Sequence, residues 1–269
     1  MTLEVDSIEL SFAGLRVLRG VSFTAEAGQL LAVVGPNGAG KTSLLHCISG
    51  IYRPQAGEVR FDGQRLDGLA PHRIAGRGVA RTFQNLGLFQ KLTVLENLML
   101  GRHHLYRTRF YHDLFWTGPG RREEIRHRKH VEEVIEFMHL ECHRKQPVGA
   151  LPHGVQKRVE LARALCMEPR LLLLDEPAAG LSQEETELMA RYLLDVREEL
   201  EVTLVLFEHN LRSFMELADH VVVLDFGRKI AEGSPEEMSR EERVAQTHLG
   251  QGPAPSSRPI GPEQAETAE

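Results

Sequence analysis

The sequence has little that would tie the chain together covalently and no apolar run that would cross a membrane. Its three cysteines, Cys47, Cys142 and Cys166, form no CxxC pair in 269 residues, which argues against a disulfide framework or a zinc site. The longest apolar runs, such as 171–174 and 221–224, fall far short of the roughly 20 residues that span a bilayer. We therefore expect a chain that does not cross a membrane.

The chain also lacks a secretory signal and an excess of positive charge. Its start, MTLEVDSIEL, has no basic segment followed by an apolar stretch, so we expect a cytoplasmic location. The balance of 32 basic and 38 acidic residues gives a net charge of −6. That balance argues against nucleic acid as a partner. A hydrophobic content of 42% is enough for a sizeable core.

Short strands and helices alternate along most of the chain. Three β-rich runs, LEVDSIELSF, VLRGVSFTAEAG and QLLAVVG, are followed by SLLHCISG, a helical pattern that ends at Gly50. Further strands are predicted at 58–61, 79–83, 171–174, 202–207 and 220–224. Buried Val and Leu strands that alternate with helices are typical of a largely parallel sheet with right-handed crossovers. We therefore predict an α/β fold.

Two segments differ in character from this core. From about residue 86 to 150 the pattern is helical, and Val131, Val134, Ile135 and Met138 form one apolar stripe. This stretch is predicted to be a helical lobe inserted between two halves of the core. Residues 251–269 are rich in Pro, Ser, Gly and Glu and are predicted to be a disordered tail.

A glycine-rich loop carries the most specific chemistry. The segment GPNGAGKT satisfies G-x-x-x-x-G-K-[ST] between a buried strand and a helix. Its glycines let backbone N–H groups turn toward phosphates, and the helix start attracts anions. We expect Lys41 to reach the β- and γ-phosphates of ATP and the Thr42 hydroxyl to ligate Mg²⁺. The predicted nucleotide-binding residues are Gly35, Pro36, Asn37, Gly38, Ala39, Gly40, Lys41, Thr42 and Ser43.

A second apolar strand delivers two carboxylates. Residues 171–174 are four leucines, followed directly by Asp175 and Glu176. Ligands of open α/β sheets bind at the carboxyl ends of the strands. We predict that Asp175 supports Mg²⁺ and that Glu176 orients and activates the attacking water as a general base.

With these motifs in this order, the chain resembles the nucleotide-binding subunits of ATP-binding-cassette (ABC) transporters over nearly all of residues 1–250. The resemblance implies a P-loop NTPase fold with a RecA-like core, an antiparallel β subdomain and a helical subdomain at about 86–165. It implies that Gln84, in RTFQN, senses Mg²⁺ and the catalytic water, and that His209, in LFEHN, contacts the γ-phosphate. Phe12 is similar to the family's aromatic platform for adenine; a place in the core is the alternative.

The segment LPHGVQ, residues 151–156, occupies the place of the family signature LSGGQ. In the family, the helix that begins there meets the ATP bound to another subunit. Gly154 keeps its place, whereas Pro152 replaces a serine and so lacks a hydroxyl and a backbone N–H. We predict that this signature clamps ATP less firmly unless His153 supplies a substitute donor.

The form of the signature, the long insert and the ending GRKIAEGSPEEM with RVAQTHLG are similar to the LivG-type ATPase of branched-chain amino acid importers. The resemblance implies a peripheral protein at the cytoplasmic face of the inner membrane. Its partners would be a second, LivF-type ATPase in a heterodimer or another copy of this chain, together with integral membrane permease subunits and a periplasmic binding protein.

Other assignments stay open at this point. The cargo could be urea, an amide or an exported lipid-linked molecule, because other subunits read the cargo. A soluble ABC ATPase that acts on ribosomes or DNA is a different class. The aromatic and basic segment 101–120 either docks a membrane partner or packs the helical lobe onto itself.

Overall fold

The chain folds into two β-sheets with helices around them. The computed structural model describes residues 1–82, 87–106, 119–209, 214 and 217–240. The smaller sheet is antiparallel and has the strand order β2-β1-β4-β5. Its strands are β1 (Leu3–Phe12), β2 (Leu15–Ala25), β4 (Ala56–Phe61) and β5 (Gln64–Arg65). The sequence pattern that predicted the first strand therefore gave its bounds correctly.

Alternation of apolar and polar residues explains the smaller sheet. Leu3, Val5, Ile8 and Leu10 of β1 are buried, as expected for a strand with one face in the core. The register shifts between Val5 and Ile8, where Ser7 has a φ of 49°. This bulge lets both halves of the strand keep their apolar side chains on the same face.

The larger sheet has the order β10-β9-β3-β8-β7-β6. Its strands are β3 (Leu30–Val34), β6 (Val79–Arg81), β7 (Leu171–Asp175), β8 (Thr203–Glu208), β9 (His220–Asp225) and β10 (Arg228–Gly233). The pairs β9–β3, β3–β8, β8–β7 and β7–β6 are parallel, and β10 is antiparallel to β9. Every residue of β3 and β7 is buried, which is typical of a parallel sheet covered on both faces.

Helices connect these strands. They are α1 (Lys41–Ile48), α2 (Pro71–Ala75), α3 (Val94–Gly101), α4 (Pro119–Phe137), α5 (His153–Leu165), α6 (Gln183–Leu200) and α7 (Pro235–Arg240), with single 3₁₀ turns at His103–Leu105, Glu141–His143 and Val148–Ala150. None of the helices within the described ranges is long and apolar enough to cross a membrane.

The helices α3 to α5 lie between β6 and β7 in the chain. The predicted apolar stripe, Val131, Val134, Ile135 and Met138, is buried against the same core as β3 and β7. Arg102, also buried, ties this region to the end of α5, because its guanidinium donates to the carbonyl of Cys166 at 2.9 Å.

The predicted α/β class and its parallel sheet are present. Individual strand ends differ slightly, since β8 begins and ends one residue later than predicted and β6 is described only to Arg81. The aromatic part of the insert, 107–118, and the predicted tail, 251–269, lie outside the described residues.

Candidate functional site

The carboxyl ends of β3, β8 and β7 bring the predicted site residues together. Val34 pairs with Glu208, and Asp175 pairs with Phe207. The chain leaves β3 into the glycine loop, β7 into Glu176 and β8 into His209. Residues from three distant parts of the sequence therefore meet at one edge of the sheet.

The loop after β3 needs glycine for two different physical reasons. Gly38 and Gly40 have φ angles of 83° and 102°, a region that residues with a Cβ rarely adopt. Gly35 is held instead by space, since a Cβ there would overlap the backbone carbonyl of Leu224 and lie 3.0 Å from the Cβ of Ala39. The loop thus packs closely against the end of β9, a contact that we call the wedge.

This wedge predicts unequal costs for two alanine substitutions. Gly35→Ala should lower the free energy of unfolding by about 2 to 3 kcal/mol, because the backbone of β9 cannot move aside cheaply. Gly38→Ala, with open space around its Cα, should cost only about 1 kcal/mol of backbone strain. Urea unfolding of the two variants measures the difference, and equal losses would contradict the predicted wedge.

Lys41 begins α1 and turns its side chain back over the loop. Its Nζ donates to the carbonyls of Gly35 at 2.6 Å and Pro36 at 3.0 Å. Burial lowers the pKa of this ammonium group, while Glu176, Glu208 and Asp175 act in the opposite direction. The ammonium group therefore lies over the loop, with three carboxyl groups near enough to affect its pKa.

Asp175 is held from two sides by residues that the sequence analysis did not select. Its backbone N–H donates to the Thr82 hydroxyl at 3.2 Å, and Arg81 Nη2 lies 3.4 Å from its carboxylate. The carboxyl group is only 2% exposed. Burial raises its pKa, and the Arg81 guanidinium offsets part of that rise. Arg81 of β6 therefore orients the carboxylate, and Thr82 holds the backbone of Asp175.

Glu176 and His209 face each other across β7 and β8. Glu176 has a φ of 47°, and its N–H donates to the Phe207 carbonyl at 3.0 Å. His209 Nδ1 lies 3.9 Å from Glu176 Oε1, and the histidine side chain is 51% exposed. Strained backbone of this kind is common where a side chain must point into a site.

Two buried charges next to these residues were missed by the sequence analysis. Glu208 precedes His209 directly and is 3% exposed, and Lys157 of α5 is 4% exposed. Lys157 Nζ lies 3.5 Å from the Glu176 carbonyl and 3.7 Å from Glu160. Glu208 could have been found from the sequence, because it is a charged residue directly before His209, at the end of a predicted strand.

Phe12 lies at the end of β1 and is exposed. Its ring contacts Tyr52 edge to face at 5.1 Å between ring centroids, and Tyr52 contacts His46 of α1 at 4.7 Å. Phe12 therefore does not lie in the core, so that alternative was wrong. An exposed ring next to the helix that follows the loop is suited to stacking on a base.

The segment 151–156 forms the start of α5. Pro152 occupies the N-cap position without a side-chain cap, and His153 Nε2 lies 3.3 Å from the Ala179 carbonyl. A Cβ on Gly154 would lie 2.7 Å from Cδ of Glu185. The pKa of Glu185 is lowered, first by the Ser182 N–H and also by His153 and the Gly154 N–H. Gly154 thus lies beside the start of α6 rather than the glycine loop.

Gln84 lies outside the described residues, so its predicted catalytic and metal-binding roles stay predictions. Arg81, the last residue of β6, and Thr82, which follows it, are described and contact Asp175.

The residues at this edge fit a nucleoside triphosphate with Mg²⁺. The start of α1 has no side-chain cap, so its N–H groups are available to a phosphate. The Thr42 hydroxyl and the Asp175 carboxylate are hard oxygen donors of the kind that Mg²⁺ prefers. Among the residues described, no cluster of three His, Cys, Asp or Glu could hold a metal ion.

Comparison with known proteins shows similarity along most of this chain. The sequence pattern of the ABC transporter family matches residues 18–179. The high-affinity branched-chain amino acid transport ATP-binding protein BraF of Pseudomonas aeruginosa is 39% identical, over 93% of this chain and 98% of that protein. The high-affinity branched-chain amino acid transport ATP-binding protein LivG of Escherichia coli is 33% identical, over 93% of this chain and 98% of that protein.

A relative with a different cargo is also similar. The sulfate/thiosulfate import ATP-binding protein CysA of Bradyrhizobium diazoefficiens is 36% identical over 92% of this chain and 68% of that protein. Among solved structures, the ADP conformation of MJ1267, an ATP-binding cassette of an ABC transporter, superimposes with a TM-score of 0.80 and 27% identity. That superposition covers 93% of this chain and all of MJ1267.

Proposed function

The chain belongs to the ABC transporter family, and from that premise we propose that it hydrolyses ATP to drive an importer of branched-chain amino acids. As in its relatives, it is an ATP-binding subunit of a transporter. The observation that carries the proposal is the meeting of the glycine loop, Glu176 and His209 at neighbouring strand ends.

Nucleotide binding would begin with the loop and Phe12. Gly38 and Gly40 open the backbone toward the β- and γ-phosphates, and Lys41 neutralises their charge. The exposed ring of Phe12 would stack on the adenine. Gly35, Pro36, Asn37, Ala39 and Ser43 shape the loop around the phosphates.

Hydrolysis would rest on residues at the ends of β7 and β8. Glu176 is placed to orient a water molecule and accept its proton, while His209 is placed to hold the γ-phosphate. Thr42 and Asp175, together with Gln84, would hold Mg²⁺, which supplies a charge that stabilises the transferring phosphoryl group. Arg81 fixes the orientation of the Asp175 carboxylate.

A second ATPase subunit would complete the site. The start of α5, with Gly154, is directed to a nucleotide that another subunit binds, and that subunit's own signature would cover the loop here. Because Pro152 and His153 depart from the family signature, we favour a non-identical partner over a second copy of this chain. Permease subunits and a periplasmic binding protein would complete an assembly at the cytoplasmic face of the inner membrane.

The cargo assignment rests on similarity along the whole chain. The branched-chain amino acid relatives are aligned over 98% of their length, whereas the sulfate relative is aligned over 68%. Urea, amides and lipid-linked molecules are the alternative cargoes. We place a soluble ABC ATPase that acts on ribosomes or DNA below these, because the relatives named above are transport proteins.

Purification of the full chain from its native membranes tests this function. We expect a second ATPase, two permease subunits and a periplasmic binding protein to copurify. Reconstitution of that assembly in proteoliposomes should give ATP-dependent uptake of leucine, isoleucine or valine. Uptake of sulfate or urea instead would overturn the cargo, and recovery of ribosomal proteins alone would overturn transport.

A further inference from the structure

Glu208 is a buried carboxylate at the last position of β8, directly before His209. Its exposure is 3%, and burying an ionised carboxylate is costly unless it is paired. Its Oε1 accepts a hydrogen bond from the Ala178 N–H at 3.4 Å. The His209 backbone N–H also bonds to this carboxyl group. Two bonds from neutral N–H groups do not neutralise a buried charge.

The side chain of His209 lies next to this carboxyl group. His209 Nδ1 lies 3.7 Å from Glu208 Oε2 and 3.9 Å from Glu176 Oε1. Both separations exceed hydrogen-bond length, and such contacts commonly shorten when a substrate fills the site. With Nδ1 directed at two carboxylates, Nε2 is the ring nitrogen left for a ligand.

The proton on the Glu208 carboxyl group determines what Nε2 can do. A neutral imidazole has one N–H and one acceptor nitrogen. A protonated Glu208 donates to Nδ1, so the ring proton resides on Nε2, which can then donate to a phosphate oxygen. An ionised Glu208 instead accepts a hydrogen bond from Nδ1, and a neutral ring then has no proton on Nε2.

We propose that Glu208 is a positioning residue for His209, because its carboxyl group decides which ring nitrogen carries the proton and so whether Nε2 donates to the γ-phosphate. The inference rests on the proposed ATPase function, which supplies the phosphate. Glu208 itself touches no reacting atom in this scheme.

The charges around Glu208 set the pH at which its state changes. Burial raises its pKa to about 7, and Glu176 adds to the rise. The Ala178 and His209 backbone N–H groups and Lys157 oppose it. Glu208 in turn opposes the lowering of the Lys41 pKa that burial causes. The carboxyl group therefore changes state near neutral pH, next to Glu176 after β7, Lys157 of α5 and Lys41 of α1.

The decisive variant is Glu208→Gln in the full chain, assayed with the partner subunits that copurify. Its amide oxygen can accept from Ala178, and its NH₂ group can donate to His209 Nδ1 at every pH. ATP turnover of the unmodified protein should fall about tenfold between pH 7 and about pH 8.5, as a group with this pKa ionises. Turnover of Glu208→Gln should change less than about twofold over the same range.

A matched control separates this effect from the loss of any buried carboxylate. Glu160→Gln makes the same change at another buried glutamate, one that faces Lys157 at 3.7 Å. It should keep the pH profile of the unmodified protein. An unchanged profile in Glu208→Gln, or the same flattening in both variants, would overturn the inference.

Two measurements test the inference without turnover. Nitrogen NMR of the full chain with labelled histidine, with His209 assigned from His209→Asn, should show Nε2 losing its proton above about pH 8. In Glu208→Gln it should keep that proton, and identical spectra would overturn the inference. A tautomer that follows Glu208 without ATP turnover at any pH would support the inference and overturn the ATPase function.

Thermal unfolding reports the state of Glu208 itself. Its pKa is higher in the folded chain than its ordinary value of 4.5, so the stability it contributes is present below that value and lost as pH rises through about 7. The Tm of Glu208→Gln minus the Tm of the unmodified protein should therefore increase by roughly 5 °C as the pH rises from 5 to 8. A Tm difference that does not change with pH would mean that Glu208 does not keep its proton up to about pH 7. That result would overturn the inference.

Discussion

Replacing Glu176 with glutamine should lower ATP turnover by about 10²- to 10⁴-fold, the usual range for loss of a general base. The amide keeps the size of the side chain but cannot take a proton from water. The backbone at this position is held by the Phe207 carbonyl at 3.0 Å, so the loop geometry should survive. Nucleotide affinity, measured with a fluorescent ATP analogue, should stay close to that of the unmodified protein.

The variant should also accumulate nucleotide-bound dimers, which size-exclusion chromatography with ATP would detect, because binding proceeds and hydrolysis does not. Glu187→Gln provides the matched control, since Glu187 is exposed on α6 and bonds to Gln183 of the same helix. Its turnover should be unaffected. Normal turnover in Glu176→Gln would remove the general base from the proposed mechanism.

Replacing Lys41 with methionine should weaken ATP binding by on the order of 10²-fold or more, because charge-assisted hydrogen bonds contribute about 1.5 to 3 kcal/mol each. The substitution also leaves Glu176, Glu208 and Asp175 without the ammonium group that lies among them. These carboxylates would then repel the phosphates. Titration calorimetry with ATP and Mg²⁺ measures the loss.

The thermal stability of Lys41→Met should rise or stay the same, although its affinity for ATP falls. Lys41 is 6% exposed and burial lowers its pKa, so the folded chain bears a desolvation cost that methionine would not. A Tm at or above that of the unmodified protein, together with lost ATP binding, is the expected pattern. Lys229→Met, on β10, makes the same charge change and should bind ATP normally. Equal affinity in all three proteins would contradict the role of Lys41.

Local patterns were sufficient to predict the parts of the site that are continuous in sequence. The strand, glycine loop and helix around Gly35 to Thr42 are specified by an apolar run, glycines and a helical pattern within 20 residues of one another. Asp175 and Glu176 were predictable for the same reason, as the residues that end an apolar strand. Each of these predictions needed only neighbours along the chain.

The remaining contacts depend on strand order and packing, which no local pattern specifies. Arg81 meets Asp175 because β6 pairs with β7, although 94 residues separate them in sequence. The burial of Glu208 depends on the position of β8 between β3 and β7. The contact of Gly154 with Glu185 depends on how the starts of α5 and α6 pack. Such pairings become visible only in three dimensions.

Two neighbouring residues after β7, Ala178 and Ala179, make contacts in two different directions. Ala178 donates to Glu208 in this subunit's own site, and the Ala179 carbonyl lies against His153 at the start of the helix proposed to face a partner's nucleotide. If a ligand at one of these contacts shifts this segment and so changes the affinity at the other, thermodynamic linkage makes the factor equal in both directions. In an assembled pair of subunits, the segment would then link the binding of one nucleotide to the binding of the other.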